Sequence, residues 1–124
     1  MPRYPEDAPN LLIVDDDSTI QRLLEMAAKD QGWRPETAGN GHEALSAIGE
    51  ATEAVVLDHG LPDMDGMEVL SRIPERFPDL PVIMLTGLND AETAVKALRA
   101  GAADYLTKPF ELKRLFDILR EIRR

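Results

Sequence analysis

Asp15 and Asp16 directly follow the apolar run Leu11 to Val14, and Asp58 directly follows the apolar run Ala54 to Leu57. If both runs are neighbouring strands, three carboxylates meet at one edge of a sheet. They would repel one another, and each would be driven towards its protonated form unless a cation lay among them. Oxygen ligands alone favour a hard divalent ion, Mg2+ above all, because it takes one or two carboxylates, keeps several waters and shares its remaining positions with phosphate oxygens. A carboxylate beside such an ion can attack a phosphoryl group and form an aspartyl phosphate, a step that needs positioning and charge neutralisation more than covalent help. Asp58 is the best nucleophile of the three. Thr86 closes the apolar run Val82 to Leu85 with a hydroxyl, and Lys108 closes a fifth strand with a mobile ammonium suited to a phosphoryl oxygen. Singly, a strand-terminal threonine is more often a turn residue and a lone lysine more often solvated surface. Their joint placement with the carboxylates carries the weight.

The elements that must position these groups follow from hydrophobic periodicity. Leu11 to Val14 reads as a strand. Ser18 and Gln21, in capping-box spacing, then open a helix with Ile20, Leu23, Leu24 and Ala27 at helical intervals and Gly32 as its stop. Arg34 to Ala38 is a weaker strand, Asn40 with Glu43 caps a helix carrying Ala44, Leu45 and Ile48, and Ala54 to Leu57 is a buried strand ending at Asp58. A helix begins near Gly66 with Met67, Leu70 and Ile73, shortened or kinked by Pro74. Val82 to Leu85 is another buried strand, and Ala91, Ala94, Val95 and Leu98 mark a helix ending before Gly101. A strand around Tyr105 to Thr107 precedes a last helix with Leu112, Leu115, Phe116, Leu119 and Ile122.

Strands that are apolar throughout are buried on both faces, so five strand-helix units predict a three-layer, doubly wound (βα)5 α/β sandwich around a parallel five-stranded sheet. Pro35 would remove a ladder hydrogen bond from a central strand, which sends the second strand to an edge and suits the order 2-1-3-4-5. In that order the first and third strands are neighbours. Ligands in such sheets bind beyond the carboxyl ends of the strands, where Asp15, Asp16 and Asp58 fall.

Bulk properties agree with this frame. The 124 residues are enough for one domain, with Met1 to Pro9, rich in proline, as a flexible lead-in and residues 10–124 as the domain proper. No apolar run approaches the length of a membrane span and no signal-peptide pattern opens the chain, so a cytoplasmic protein without a membrane partner is expected. The absence of cysteine excludes disulfides, thiolate metal sites and a cysteine nucleophile. A net charge of −9 opposes direct nucleic-acid binding, which needs clustered Lys and Arg.

Four blocks in order resemble the receiver domains of two-component response regulators: Leu12-Ile13-Val14-Asp15-Asp16-Asp17, Asp58 followed by Leu61-Pro62-Asp63-Met64-Asp65-Gly66, Leu85-Thr86-Gly87, and Tyr105-Leu106-Thr107-Lys108-Pro109-Phe110. Together they span about residues 10–124 and are far more specific than any one alone. The resemblance implies a phosphorelay switch rather than a turnover enzyme, catalysing only its own phosphorylation and dephosphorylation. It makes Asp58 the phospho-acceptor and gives Mg2+ to Asp15, Asp16, Asp58 and the backbone carbonyl of Gly60. Thr86, the Gly87 N–H and Lys108 would hold phosphoryl oxygens, and Thr86 and Tyr105 would carry the switch. A cis bond between Lys108 and Pro109 is expected on the same grounds. The implied donor is a sensor histidine kinase or phosphotransfer protein. The implied partner surface is the fourth helix, fifth strand and fifth helix, facing an output domain or a second protomer; the exposed charges there, Lys113, Arg114, Asp117, Arg120 and Glu121, read by default as a solvated helix face and alternatively as part of that surface. Leu80 to Gly87 with Glu92 to Val95 looks most like receivers attached to sigma-54-dependent activators. A stand-alone regulator and a piece of a longer one both fit.

Neighbouring residues read more plainly. Asp17 is a helix-start residue near Ser18 and stays outside the metal set. His59 should point away from Asp58 by strand alternation, and His42 should face solvent. Gly60 and Leu88 sit where this family adjusts water access to the phosphoryl group. Two rival readings exist. Asp15-Asp16-Asp17-Ser18-Thr19 also satisfies the D-x-D-x-T nucleophile motif of haloacid dehalogenase-type phosphatases, with Asp15 phosphorylated, but the helix pattern starting at Ser18 leaves no room for their flap and Asp58 goes unexplained. Gly39-Asn40-Gly41-His42-Glu43-Ala44 fits a dinucleotide-binding G-x-G-x-x-A, but Pro35-Glu36-Thr37 is a poor buried strand to precede it.

Overall fold

A computed structural model of the chain describes residues 8–87 and 91–123. Strands β1 (Asn10–Val14), β2 (Arg34–Ala38), β3 (Thr52–Asp58), β4 (Val82–Thr86) and β5 (Asp104–Thr107) alternate with helices α1 (Ser18–Asp30), α2 (Gly41–Ala47), α3 (Gly66–Arg72), α4 (Ala91–Arg99) and α5 (Leu112–Ile122). All four pairings are parallel and the sheet order is β2-β1-β3-β4-β5. Every residue of β4 is buried, as are Ala54 to Asp58 of β3, because both faces of these central strands are covered. On one face α1 and α5 contribute Leu24, Ala28, Leu115, Phe116 and Leu119 against Leu11, Ile13, Val56, Ile83 and Leu85. On the other, α2, α3 and α4 contribute Ala44, Val69, Leu70 and Ala97, with Ile48 just past α2, against Leu12, Val14, Val55, Leu57 and Met84. Each fully buried aliphatic side chain stabilises the fold by about 1.5–3 kcal/mol.

Local chemistry explains the boundaries. Pro35 lies on β2, an edge strand, where a missing donor can face outward. Gly32, at φ +87°, turns the chain out of α1, and Trp33 N–H closes on the Ala28 carbonyl. Asn40 caps α2 by accepting from Glu43 N–H, while the Glu43 carboxylate accepts from Gly39 N–H. At Pro74, α3 gives way to a 3₁₀ turn, Ile73–Glu75.

Several expectations change. The capping residue of α1 is Asp17, not Ser18: its carboxylate accepts from Thr19 and Ile20 N–H. Gln21 therefore does not reach back to cap the helix and donates to the carbonyls of Asp15 and Ala38. Leu23, Val95 and Leu98, which share the helical spacing of the apolar residues, are exposed, because Leu24 and Ala28 of α1 and Ala94 and Ala97 of α4 take the inward positions. Ala8 and Pro9 of the lead-in are buried, and the Pro9 carbonyl accepts from Arg34 N–H at 2.7 Å. The rest of the lead-in and Leu88 lie outside the described residues. No helix among the described residues is long and apolar enough to cross a membrane.

At the sheet edge opposite the carboxyl ends, α5 finishes beside Trp33. The Arg123 guanidinium lies 5.6 Å from the centre of its ring and pairs with Glu53 at 2.7 Å.

Candidate functional site

Parallel strands bring their carboxyl ends to one side, so the residues just beyond β1, at the end of β3 and just beyond β5 converge. Asp15 is fully buried and both its oxygens are engaged: Oδ1 accepts from Asp17 N–H at 2.9 Å and Oδ2 accepts from Lys108 Nζ at 3.0 Å. The Asp15 carbonyl takes the Gln21 amide, and its N–H donates to the Ala38 carbonyl. Lys108 Nζ also lies 3.3 Å from Asp58 Oδ1. Burial pushes the Asp58 carboxyl up, the charge of Asp15 pushes it further, and Lys108 and the Gly60 N–H offset this only in part. Burial pulls the Lys108 ammonium down, but the hydrogen bond to Asp15 and the charges of both carboxylates outweigh it and hold Lys108 above its ordinary value.

Asp16 completes the cluster from an exposed position. One oxygen from each of Asp15, Asp16 and Asp58 lies within 4.8 Å of the others. An all-carboxylate set, two members buried and one open to solvent, fits a hard divalent cation that retains water, and Mg2+ best among these. The donor chemistry is thus compatible with the ion expected from the sequence.

The loop after β3 is built to hold Asp58 still. His59 N–H donates to the Leu85 carbonyl, Gly66 N–H donates back to the His59 carbonyl at 2.9 Å, and Gly60 bridges Asp65 in antiparallel fashion. A Cβ on Gly66 would lie 2.5 Å from the Asp58 carbonyl oxygen and 2.8 Å from His59 Cα, so only glycine permits this approach. The His59 ring turns to Asp65, 3.4 Å away, and His42, mostly exposed, contacts Asp63.

Other residues singled out in the sequence stand apart from this cluster. Thr86 is buried at the end of β4 with its hydroxyl donating to the Leu106 carbonyl at 3.5 Å. Its own carbonyl accepts from Lys108 N–H at 2.8 Å, and the Lys108–Pro109 bond is cis. Gly87 follows Thr86, and among the described residues nothing lies within 4 Å of where its Cβ would stand. Tyr105 is half-buried in β5, packed on the layer of α2, α3 and α4. Asp17 Oδ1 caps α1, and α1 begins three residues after Asp15 with no flap between, against the D-x-D reading. The structure adds two residues that spacing did not single out for the site, Gln21 and Asp63. Their partners lie up to 22 positions away in sequence, and no local pattern marks such ties.

Residues 11–120 match the family model described as the response regulator receiver domain. The chain is 38% identical over 115 residues to the probable transcriptional regulatory protein TcrX of Mycobacterium tuberculosis, covering 92% of this chain and 49% of that protein. It is 45% identical over 101 residues to the DNA-binding transcriptional regulator NtrC of Salmonella typhimurium, covering 81% of this chain and 22% of that protein. The chain thus spans half or less of the curated relatives it matches. Among solved structures, the receiver domain of NtrX from Brucella abortus superposes with a TM-score of 0.85 at 37% identity, covering 90% of this chain and 96% of that one.

Proposed function

Because the chain belongs to the response regulator receiver domain family and so serves as a phospho-acceptor signalling domain, we propose that Asp58 is the residue phosphorylated and that a sensor histidine kinase or phosphotransfer protein is its donor. The observation that carries this is the convergence of Asp15, Asp16 and Asp58 on one point, with Lys108 Nζ bound to two of them. An Asp58 carboxylate oxygen attacks phosphorus, the bond from phosphorus to the donor imidazole nitrogen breaks, and the electron pair leaves with the imidazole. Asp15, Asp16, Asp58 and the Gly60 carbonyl would hold Mg2+, which when bound supplies charge neutralisation at the phosphoryl oxygens.

The remaining groups are this chain's own. Lys108 exchanges its carboxylate partners for a phosphoryl oxygen, and the Gly87 N–H donates to another. The Thr86 hydroxyl, which donates to the Leu106 carbonyl, turns to a third. Movement of Thr86 frees space beside β5, and Tyr105 follows it inward. The changed surface is that of α4, β5 and α5, read by an output domain or a second protomer. Val95 and Leu98 support this face because they leave apolar surface on α4 exposed. Lys113, Asp117 and Arg120 pair with one another and contribute less, as exposed pairs do. Hydrolysis by water restores Asp58.

Incubation with a small phosphodonor and Mg2+, followed by intact mass and site mapping, tests the assignment. One phosphoryl group on Asp58, absent in Asp58→Asn, is expected. An adduct that persists unchanged in Asp58→Asn, or one mapped to Asp15, would overturn it.

A further inference from the structure

The loop between β3 and α3 is tied to a second element by one carboxylate whose contacts the phosphoryl chemistry does not use. Asp63 Oδ1 accepts from Gly41 N–H at 2.8 Å, Oδ2 accepts from His42 N–H at 3.0 Å, and the His42 ring contacts the same oxygen. The first amides of a helix lack partners within it, so a carboxylate there makes charge-assisted hydrogen bonds and meets the favourable end of the helix dipole. The Gly41 amide, first among several donors, holds the Asp63 carboxyl well below the usual range. A second contact runs in parallel: a Cβ on Gly41 would fall 2.4 Å from Met64 Cγ and 3.0 Å from Val69 Cγ2, so the loop lies directly on the first residue of α2.

These ties bear on the metal because Gly60 sits in the same loop. At one end the loop is closed by the bridge between Gly60 and Asp65 and by Gly66 against the Asp58 and His59 backbone. Asp63 fastens the crown of the loop to α2, which packs on β1, β2 and α3. We propose that Asp63 is a positioning residue for the metal centre: it pegs the β3–α3 loop to the start of α2 and so sets the direction of the Gly60 carbonyl. This rests on the reading of Gly60 as a metal ligand. Metal ligands must lie within a few tenths of an ångström of their ideal distance, and loss of the groups that orient them weakens affinity by about 10–100-fold.

Calorimetric titration with Mg2+ alone, on wild type, Asp63→Ala, Asp63→Asn, His42→Ala and Asp16→Asn, tests the proposal, with metal-free melting temperatures recorded alongside. Asp63→Ala should raise the Mg2+ Kd about tenfold. Its phosphorylation by a small phosphodonor should recover at saturating Mg2+, which a loss of folded protein would not do. Asp63→Asn keeps one acceptor oxygen in nearly the same shape and should fall between wild type and Asp63→Ala, and it decides the matter if the alanine variant does not fold. His42→Ala retains both backbone bonds and should bind as wild type does. A wild-type Kd in Asp63→Asn and Asp63→Ala, or a loss in His42→Ala as large as in Asp63→Ala, would overturn the peg. Failure of wild type to bind Mg2+, or undiminished binding by Asp16→Asn, would instead bring down the metal-site reading beneath it.

Discussion

At Asp58, burial and the charge of Asp15 both oppose ionisation, and Lys108 compensates only in part. The folded state therefore holds this proton more tightly than the unfolded chain does. The stability that this adds is complete below the unfolded-state pKa and is lost as pH rises through the higher folded-state value. At neutral pH the metal-free protein carries the ionised group at a cost, so Asp58→Asn should raise its metal-free melting temperature. Thermal melts of the two proteins at pH 7.5 without divalent ions, repeated near pH 5, check both sign and pH dependence: the difference should shrink as pH falls. Equal melting temperatures at both pH values would contradict this account. The residue types of this site were legible in the sequence because chemistry selects them: carboxylates at strand ends, a hydroxyl, an ammonium. Where each side chain rests was not, as with Thr86, whose hydroxyl is turned to the Leu106 carbonyl.

Among the elements, α3 is the one whose placement bears most directly on the acceptor. Gly66 begins it with backbone atoms of Asp58 and His59 closer than any Cβ tolerates. Alanine at a helix start would gain about 0.5–1 kcal/mol from reduced chain freedom, whereas displacing packed backbone costs about 1–3 kcal/mol. Sterics should win, so Gly66→Ala is expected to lower stability by about 1–2 kcal/mol on those scales and to slow phosphorylation of Asp58. Chemical denaturation with a phosphodonor assay reads both, and a variant more stable than wild type would refute the close-packing account. Strand identities were readable because β1, β3 and β4 are continuous apolar runs, and the edge position of β2 followed from Pro35. Helix faces were read less well. Leu23, Val95 and Leu98 fit the spacing but point outward, since adjacent Leu24, Ala94 and Ala97 fill the narrow space against the sheet equally well. Gln21 and Asp63 join segments distant in sequence, and only the folded chain brings their partners near.

For the molecule as a whole, the two edges of the sheet divide the labour. Carboxylates gather at one edge, while at the other Arg123 lies over Trp33 and pairs with Glu53. Trp33 is the chain's single tryptophan and is buried. Its fluorescence is therefore a built-in optical gauge of whether the domain is folded, placed where an ion among the carboxylates does not touch it. Mg2+ should leave the emission of the native protein unchanged yet move its urea midpoint upward, by about 2.7 kcal/mol of added stability at a hundredfold excess over Kd. An emission change in the native state on adding Mg2+ would mean that the two edges communicate; a fixed midpoint would mean that no ion is held. One residue thus lets binding at the far edge be read as stability, with no label attached to the switch itself.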